Sequence, residues 1–293
     1  MVVHNFSYGP LNPGFAYLTS CLGCFLGLQC TARARAMKGA DRARWLLLAA
    51  VSIGAAGIWV MHFIAMLGFT ISGQVITYNV PVTILSMLIA VGVVSVGLLI
   101  VGFGGEGLGP LLLGGTIIGI GIASMHYVGM WAMRMPDTMG YDTGLVGLSV
   151  AIAIVAGTVA LWAALRLGGV RHTLYASLIM GVAVSGMHYT GMAAMHVRAA
   201  PGGGMAAMGG GASAQAFLLP LILGITAVSF VLAAIITLAP TEAELREDAE
   251  LMERIARMSG SPGGRSANPG GRSANPGGRS AGPASVFRRP DAL

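Results

Sequence analysis

The 293-residue chain is 55% hydrophobic and only 10% charged, against about a quarter charged in ordinary soluble domains. That balance excludes a soluble globular enzyme and requires a lipid environment. The net charge of +6 falls largely in loops and tail, where it sets topology and meets anionic lipid rather than nucleic acid.

Seven runs reach the roughly 20 apolar residues needed to cross the hydrocarbon as helices. They lie near 14–32, 45–68, 80–103, 110–133, 144–167, 173–195 and 217–239. The first carries Cys21 and Cys24 one turn apart, with Cys30 near its end; they read as small packing residues, a soft-metal thiol pair being the alternative. The loop that follows holds Arg33, Arg35, Lys38, Arg42 and Arg44 with one acid, Asp41. The second run ends on Met61-His62-Phe63 with Met66, and the loop at 69–79 is uncharged. The fourth ends on Met125-His126-Tyr127 with Met130 and Met133, and its loop sets Arg134 against Asp137 and Asp142. Arg166 and Arg171 follow the fifth run, and the sixth ends on Met187-His188-Tyr189 with Met192 and Met195. Gly114, Gly115, Gly119 and Gly121 are typical of the glycines that let spanning helices approach closely.

The basic loops predict an all-α polytopic protein with seven transmembrane helices, the N-terminus outside and the C-terminus cytoplasmic. No basic segment or cleavage site precedes the first run, so no removable signal peptide is read. Residues 1–240 form the membrane domain. Thr241 and Glu244 then make a capping box that opens a charged cytoplasmic helix over 241–258, with Glu250 one turn from Arg254. Over 259–293 the chain repeats GGRSANP, GGRSANP and GGRSAGP, a composition that buries no core and predicts disorder.

Three Met-His-aromatic copies dominate the chemistry. Their helices run in the same direction, so His62, His126 and His188 fall at one depth, roughly 10 Å beneath the outer boundary at about 1.5 Å per residue. A membrane histidine is costly without a partner, and three at one level predict a shared site. Residues at i+4 and i+7 share the histidine's helical face. Met130 and Met133 therefore extend the stripe of His126, and Met192 and Met195 that of His188. Met66 extends His62, but Phe69 ends that stripe early. His196, Met135, Met139, Met205 and Met208 stand nearby on the outer side. Imidazole with thioether suits copper, Cu(I) above all. The spans hold no carboxylate for a hard cation. Tyr127 and Tyr189 read either as interfacial anchors or as hydroxyls that orient the imidazoles, whereas Phe63 supplies none.

Met125-His126-Tyr127-Val128-Gly129-Met130 and Met187-His188-Tyr189-Thr190-Gly191-Met192 resemble the motif of the MHYT domain, a bacterial integral-membrane sensor module. Met61-His62-Phe63-Ile64-Ala65-Met66 is similar, with Phe for Tyr and Ala for Gly. The resemblance covers about residues 10–240. It implies a multi-pass protein of the bacterial cytoplasmic (inner) membrane that binds copper near the outer face and senses a diatomic gas such as O2, CO or NO. By position, the implied ligands are His62, His126 and His188 with Met66, Met130 and Met192. Family members are often fused to cyclase, phosphodiesterase, kinase or DNA-binding output domains. Residues 241–293 resemble none of these, so a standalone, non-enzymatic module signalling through a separate cytoplasmic partner is expected. A copper-handling or transport protein and a haem-binding redox protein are the alternatives. A retinal receptor is excluded, because the sole lysine, Lys38, lies in a loop.

Overall fold

The computed structural model describes residues 3–4, 7, 9–71, 75–105, 107–136, 138–198, 211–238, 250–255 and 257. Met205, Met208, Asp137, the capping box at Thr241 and the Gly/Pro/Ser/Arg repeat lie outside them. Two compact units divide at Glu242.

The first unit is built of helices α1 (Leu11–Ala36), α2 (Gly39–Val51), α3 (Val60–Leu67), α4 (Val80–Gly104), α5 (Leu108–Trp131), α6 (Thr143–Arg166), α7 (Val170–Ala194) and α8 (Leu219–Leu238). A π-helical stretch, Ser52–Trp59, joins α2 to α3, so Gly39–Leu67 crosses as one rod. Among the described residues six helices are long and apolar enough to span a membrane: Leu11–Ala36, Gly39–Leu67, Val80–Gly104, Leu108–Trp131, Thr143–Arg166 and Ala216–Ile236. The run expected near 173–195 is the 25-residue α7, which is not among these six.

Helix starts follow local capping. Asn79 accepts from the Val82 N–H at 3.1 Å ahead of α4, and Asp142 accepts from the Leu145 N–H at 2.9 Å ahead of α6. Around the bundle, α1 packs on the Gly39–Leu67 rod, the rod on α4, and α4 on α5; α5 packs on α6, α6 on α7, and α7 returns to α1. α8 packs on α1 and on the rod, which is the most enclosed of these helices. Close approach depends on glycine: a Cβ at Gly23 would stand 2.2 Å from the Gly57 nitrogen of the rod, and one at Gly119 2.3 Å from the Ile154 Cα of α6.

The two ends of the bundle differ in chemistry. One holds the basic loops, where Arg33 donates to the Ile236 carbonyl at 2.5 Å and stands over the Trp45 ring. Arg35 there donates to the Ala164 and Leu167 carbonyls at the end of α6. The other end is capped by short antiparallel strands: β1 (Val3–His4) with β2 (Thr70–Ile71), β3 (Thr77–Tyr78) between β4 (Met133–Arg134) and β7 (Ala212–Ser213), and β5 (Thr138–Tyr141) with β6 (Met195–Arg198). Burial in this cap pushes the Tyr78 phenol up, and burial together with the nearby Tyr127 does the same to Tyr141. In the second unit residues 250–255 and 257 are helical, with Arg257 paired to Glu253 at 2.6 Å.

Candidate metal centre

The three motif helices end together beneath the strand cap and bring their histidines into contact. His62 Nδ1 lies 3.0 Å from His188 Nδ1, and His126 Nδ1 lies 3.2 Å from His62 Nδ1. The ring centroids are 4.9, 5.0 and 5.1 Å apart, with the planes steeply inclined in a three-bladed propeller. All three residues are buried, and among the described residues they are the group of His, Cys, Asp and Glu side chains whose ligand atoms converge, within 4.8 Å of one another.

Protons alone leave this arrangement poorly satisfied. Three neutral imidazoles have three N–H groups to share over six nitrogens, and no Nε2 has a hydrogen-bond partner. An N–H placed on His62 Nδ1 can serve its two neighbours, but it leaves N–H groups buried on the other rings, at a cost of about 1–3 kcal/mol each. A cation accepting all three Nδ1 lone pairs removes the repulsion at the centre, while placing all three N–H groups on the partnerless Nε2 atoms. A metal–nitrogen length of about 2.0 Å with tetrahedral angles sets neighbouring nitrogens about 3.3 Å apart, close to the spacing found here. The donor set therefore fits a borderline metal such as copper or zinc.

Two of the imidazoles are seated on the following motif. A Cβ on Gly129 would lie 2.6 Å from His62 Nε2, and one on Gly191 would lie 2.4 Å from His126 Nε2. Both glycines stand three residues after their own histidines, a position held in the first copy by the buried Ala65. The sequence displays these glycines in the motif, but only the fold reveals that each backbone receives the preceding copy's ring.

The methionines divide into two sets. Met66, Met130 and Met192 are buried on the last helical turns, one turn beyond their histidines. Met133 and Met195 lie past the helix ends, on β4 and β6, where they pair with Tyr78 and Tyr141. The i+7 helical stripe expected from sequence is thus replaced by strand geometry at both positions. His196 and Met139 belong to the β5–β6 ribbon. Cys21 lies against Gly181, and Cys24 lines an internal cavity; neither forms a disulfide.

The tyrosines reach their histidines by ring edges, with centroids 4.9 Å apart for both Tyr127–His126 and Tyr189–His188. The Tyr127 hydroxyl instead meets Ser149 Oγ of α6 at 2.7 Å, so it ties α5 to α6 rather than orienting an imidazole nitrogen. Ser149 stands seven residues after the α6 cap Asp142, and Ser86 seven after the α4 cap Asn79. Ser86 Oγ accepts from Trp59 Nε1 at 2.9 Å. Trp59 therefore occupies the serine that a tyrosine hydroxyl uses in the next repeat, which accounts for phenylalanine at position 63. Sequence reasoning did not single out Trp59, whose signal was its place one turn ahead of His62.

A family model described as bacterial signalling protein N-terminal repeat (MHYT) matches residues 56–114 and 119–177. A bifunctional diguanylate cyclase/cyclic di-GMP phosphodiesterase, MucR, of Pseudomonas aeruginosa is 36% identical over 245 residues, covering 82% of this chain and 35% of that protein. The cyclic di-GMP phosphodiesterase NbdA of the same organism is 39% identical over 200 residues, covering 66% of this chain and 25% of that protein. The signalling protein YkoW of Bacillus subtilis is 30% identical over 201 residues, covering 64% and 24%. The chain thus spans about a third or less of the length of these relatives. No solved structure matches.

Proposed function

This chain belongs to the MHYT family of bacterial signalling proteins, as a multi-pass protein of the bacterial cytoplasmic membrane, and on that premise we propose that it is a copper-dependent sensor of a diatomic gas. The observation that carries the reading is the convergence of three buried Nδ1 atoms from three separate motif helices. In this reading seven helices cross the bilayer, with the strand cap outside and the basic loops in the cytoplasm, as the positive-inside bias favours. His62, His126 and His188 hold the metal, with Met66, Met130 and Met192 supplying thioethers beside them. Met133 and Met195 close the site from the strand cap. Bound there, copper would supply a soft centre able to ligate O2, CO or NO.

The protein's own contribution is to bind and to transmit. Gly129 and Gly191 fix the imidazoles, and the strand cap shields the triad from water. His62 stands at the head of the rod that contains the π-helical stretch, and such stretches recur at functional sites. The rod packs on α8, so a shift of His62 has a direct path to the segment leading out of the membrane domain. A ligand achieves this only by favouring one of two helix arrangements. A separate cytoplasmic partner reads the outcome.

Metal and haem analysis of the detergent-purified chain tests the reading. Stoichiometric copper, lost in the His126→Ala/His188→Ala double variant, is the expected result. A Soret band without copper, or copper retained by the double variant, would overturn it.

A further inference from the structure

One helical turn from the triad, on the side away from the strand cap, the bundle holds a partly open apolar cavity of about 40 Å³. Ile58, Ile122 and Val184, each four residues before its histidine, line it together with Cys24, Ile53 and Leu161. Residues at i and i+4 share a helical face, so the histidines form the next layer above this cavity. A water needs about 10–15 Å³ and two to four polar partners. The space is adequate, but the lining is aliphatic apart from a thiol and a thioether, so a cavity of this kind stays dry. It is also far smaller than the roughly 300–1,000 Å³ pockets that take organic ligands. What fits is a neutral apolar molecule of two or three heavy atoms.

The cavity has a lateral neighbour. Ala156 of α6 and Met180 of α7 line it from inside, and the same two residues line a groove on the outer surface between α6 and α7. That groove is walled by aliphatic side chains, among them the exposed Val155, Val159 and Ile179. In a membrane this surface meets lipid tails, in which neutral diatomic molecules concentrate relative to water.

We propose that the cavity is the docking site for the neutral diatomic ligand, which enters sideways from the bilayer between α6 and α7, past Ala156 and Met180. The assignment rests on the gas-sensing reading above, but its test separates the two. Xenon is inert toward metals and occupies dry apolar cavities. Crystals of the full chain grown from a lipid phase and pressurised with xenon are expected to show an anomalous peak between Ile58, Ile122 and Val184. Ala160→Leu, which fills the cavity from α6, is expected to abolish it. Absence of the peak in wild type, or its persistence in A160L, would overturn the docking site. The route is tested with carbon monoxide rebinding after photolysis of the copper-loaded protein. Ala156→Leu is expected to slow rebinding without altering copper content, and an unchanged rate would overturn the portal. Should the chain take up no copper, the sensor reading fails while the xenon result still decides the cavity.

Discussion

The Nε2 edge of His62 rests against the backbone of Gly129, at a point where a Cβ would come within 2.6 Å of the nitrogen. Gly191 stands in the same relation to His126. The motif glycine is therefore a seat for the previous copy's imidazole, and the three copies interlock rather than act separately.

Gly129→Ala and Gly191→Ala are each expected to displace a ring that has nowhere to go. Overpacking of this kind costs about 1–3 kcal/mol. Thermal unfolding should fall accordingly, and bound copper should fall more steeply than stability does. Ala65→Gly, at the matching position of the first copy, is the control expected to leave metal content intact.

Chelation should destabilise the protein. A ligand at a hundredfold excess over its Kd stabilises the native state by about 2.7 kcal/mol, so stripping it lowers Tm measurably. The same chelator should leave the melting of the His126→Ala/His188→Ala protein unmoved. Equal shifts in both would place the metal elsewhere.

Tyr127→Phe separates two roles for the hydroxyl. Loss of the bond to Ser149 is expected to cost about 1 kcal/mol, with copper content and spectrum unchanged. A spectral shift with preserved stability would instead give the hydroxyl a part in orienting His126.

Trp59→Phe keeps the ring packed against Phe63 but removes the N–H that Ser86 accepts. The expected loss is about 1–2 kcal/mol, because a buried partner is left behind. As Trp59 ends the π-helical stretch just before His62, the variant should also alter gas affinity at full copper loading. Wild-type affinity would detach the π-helical stretch from sensing.

Composition and motif spacing by themselves determine a good deal: a helical membrane protein, the basic ends of its loops, and three histidines at one depth. Those features are read along single helices, where hydropathy and rise per residue suffice. The histidine cluster follows the same logic, since a buried polar group in lipid must find a partner. Tertiary structure alone decides what crosses between helices. It sets which ring nitrogens converge, which glycine seats which imidazole, and that Ser149 serves Tyr127 while Ser86 serves Trp59. It also moves Met133 and Met195 off the helices, because α5 and α7 end a residue or two before the i+7 position and the chain turns into strands. The physical reason is that periodicity fixes a residue's direction on its own helix. Partners across a bundle depend on rotation, register and close approach, and these are set by packing among all the helices at once.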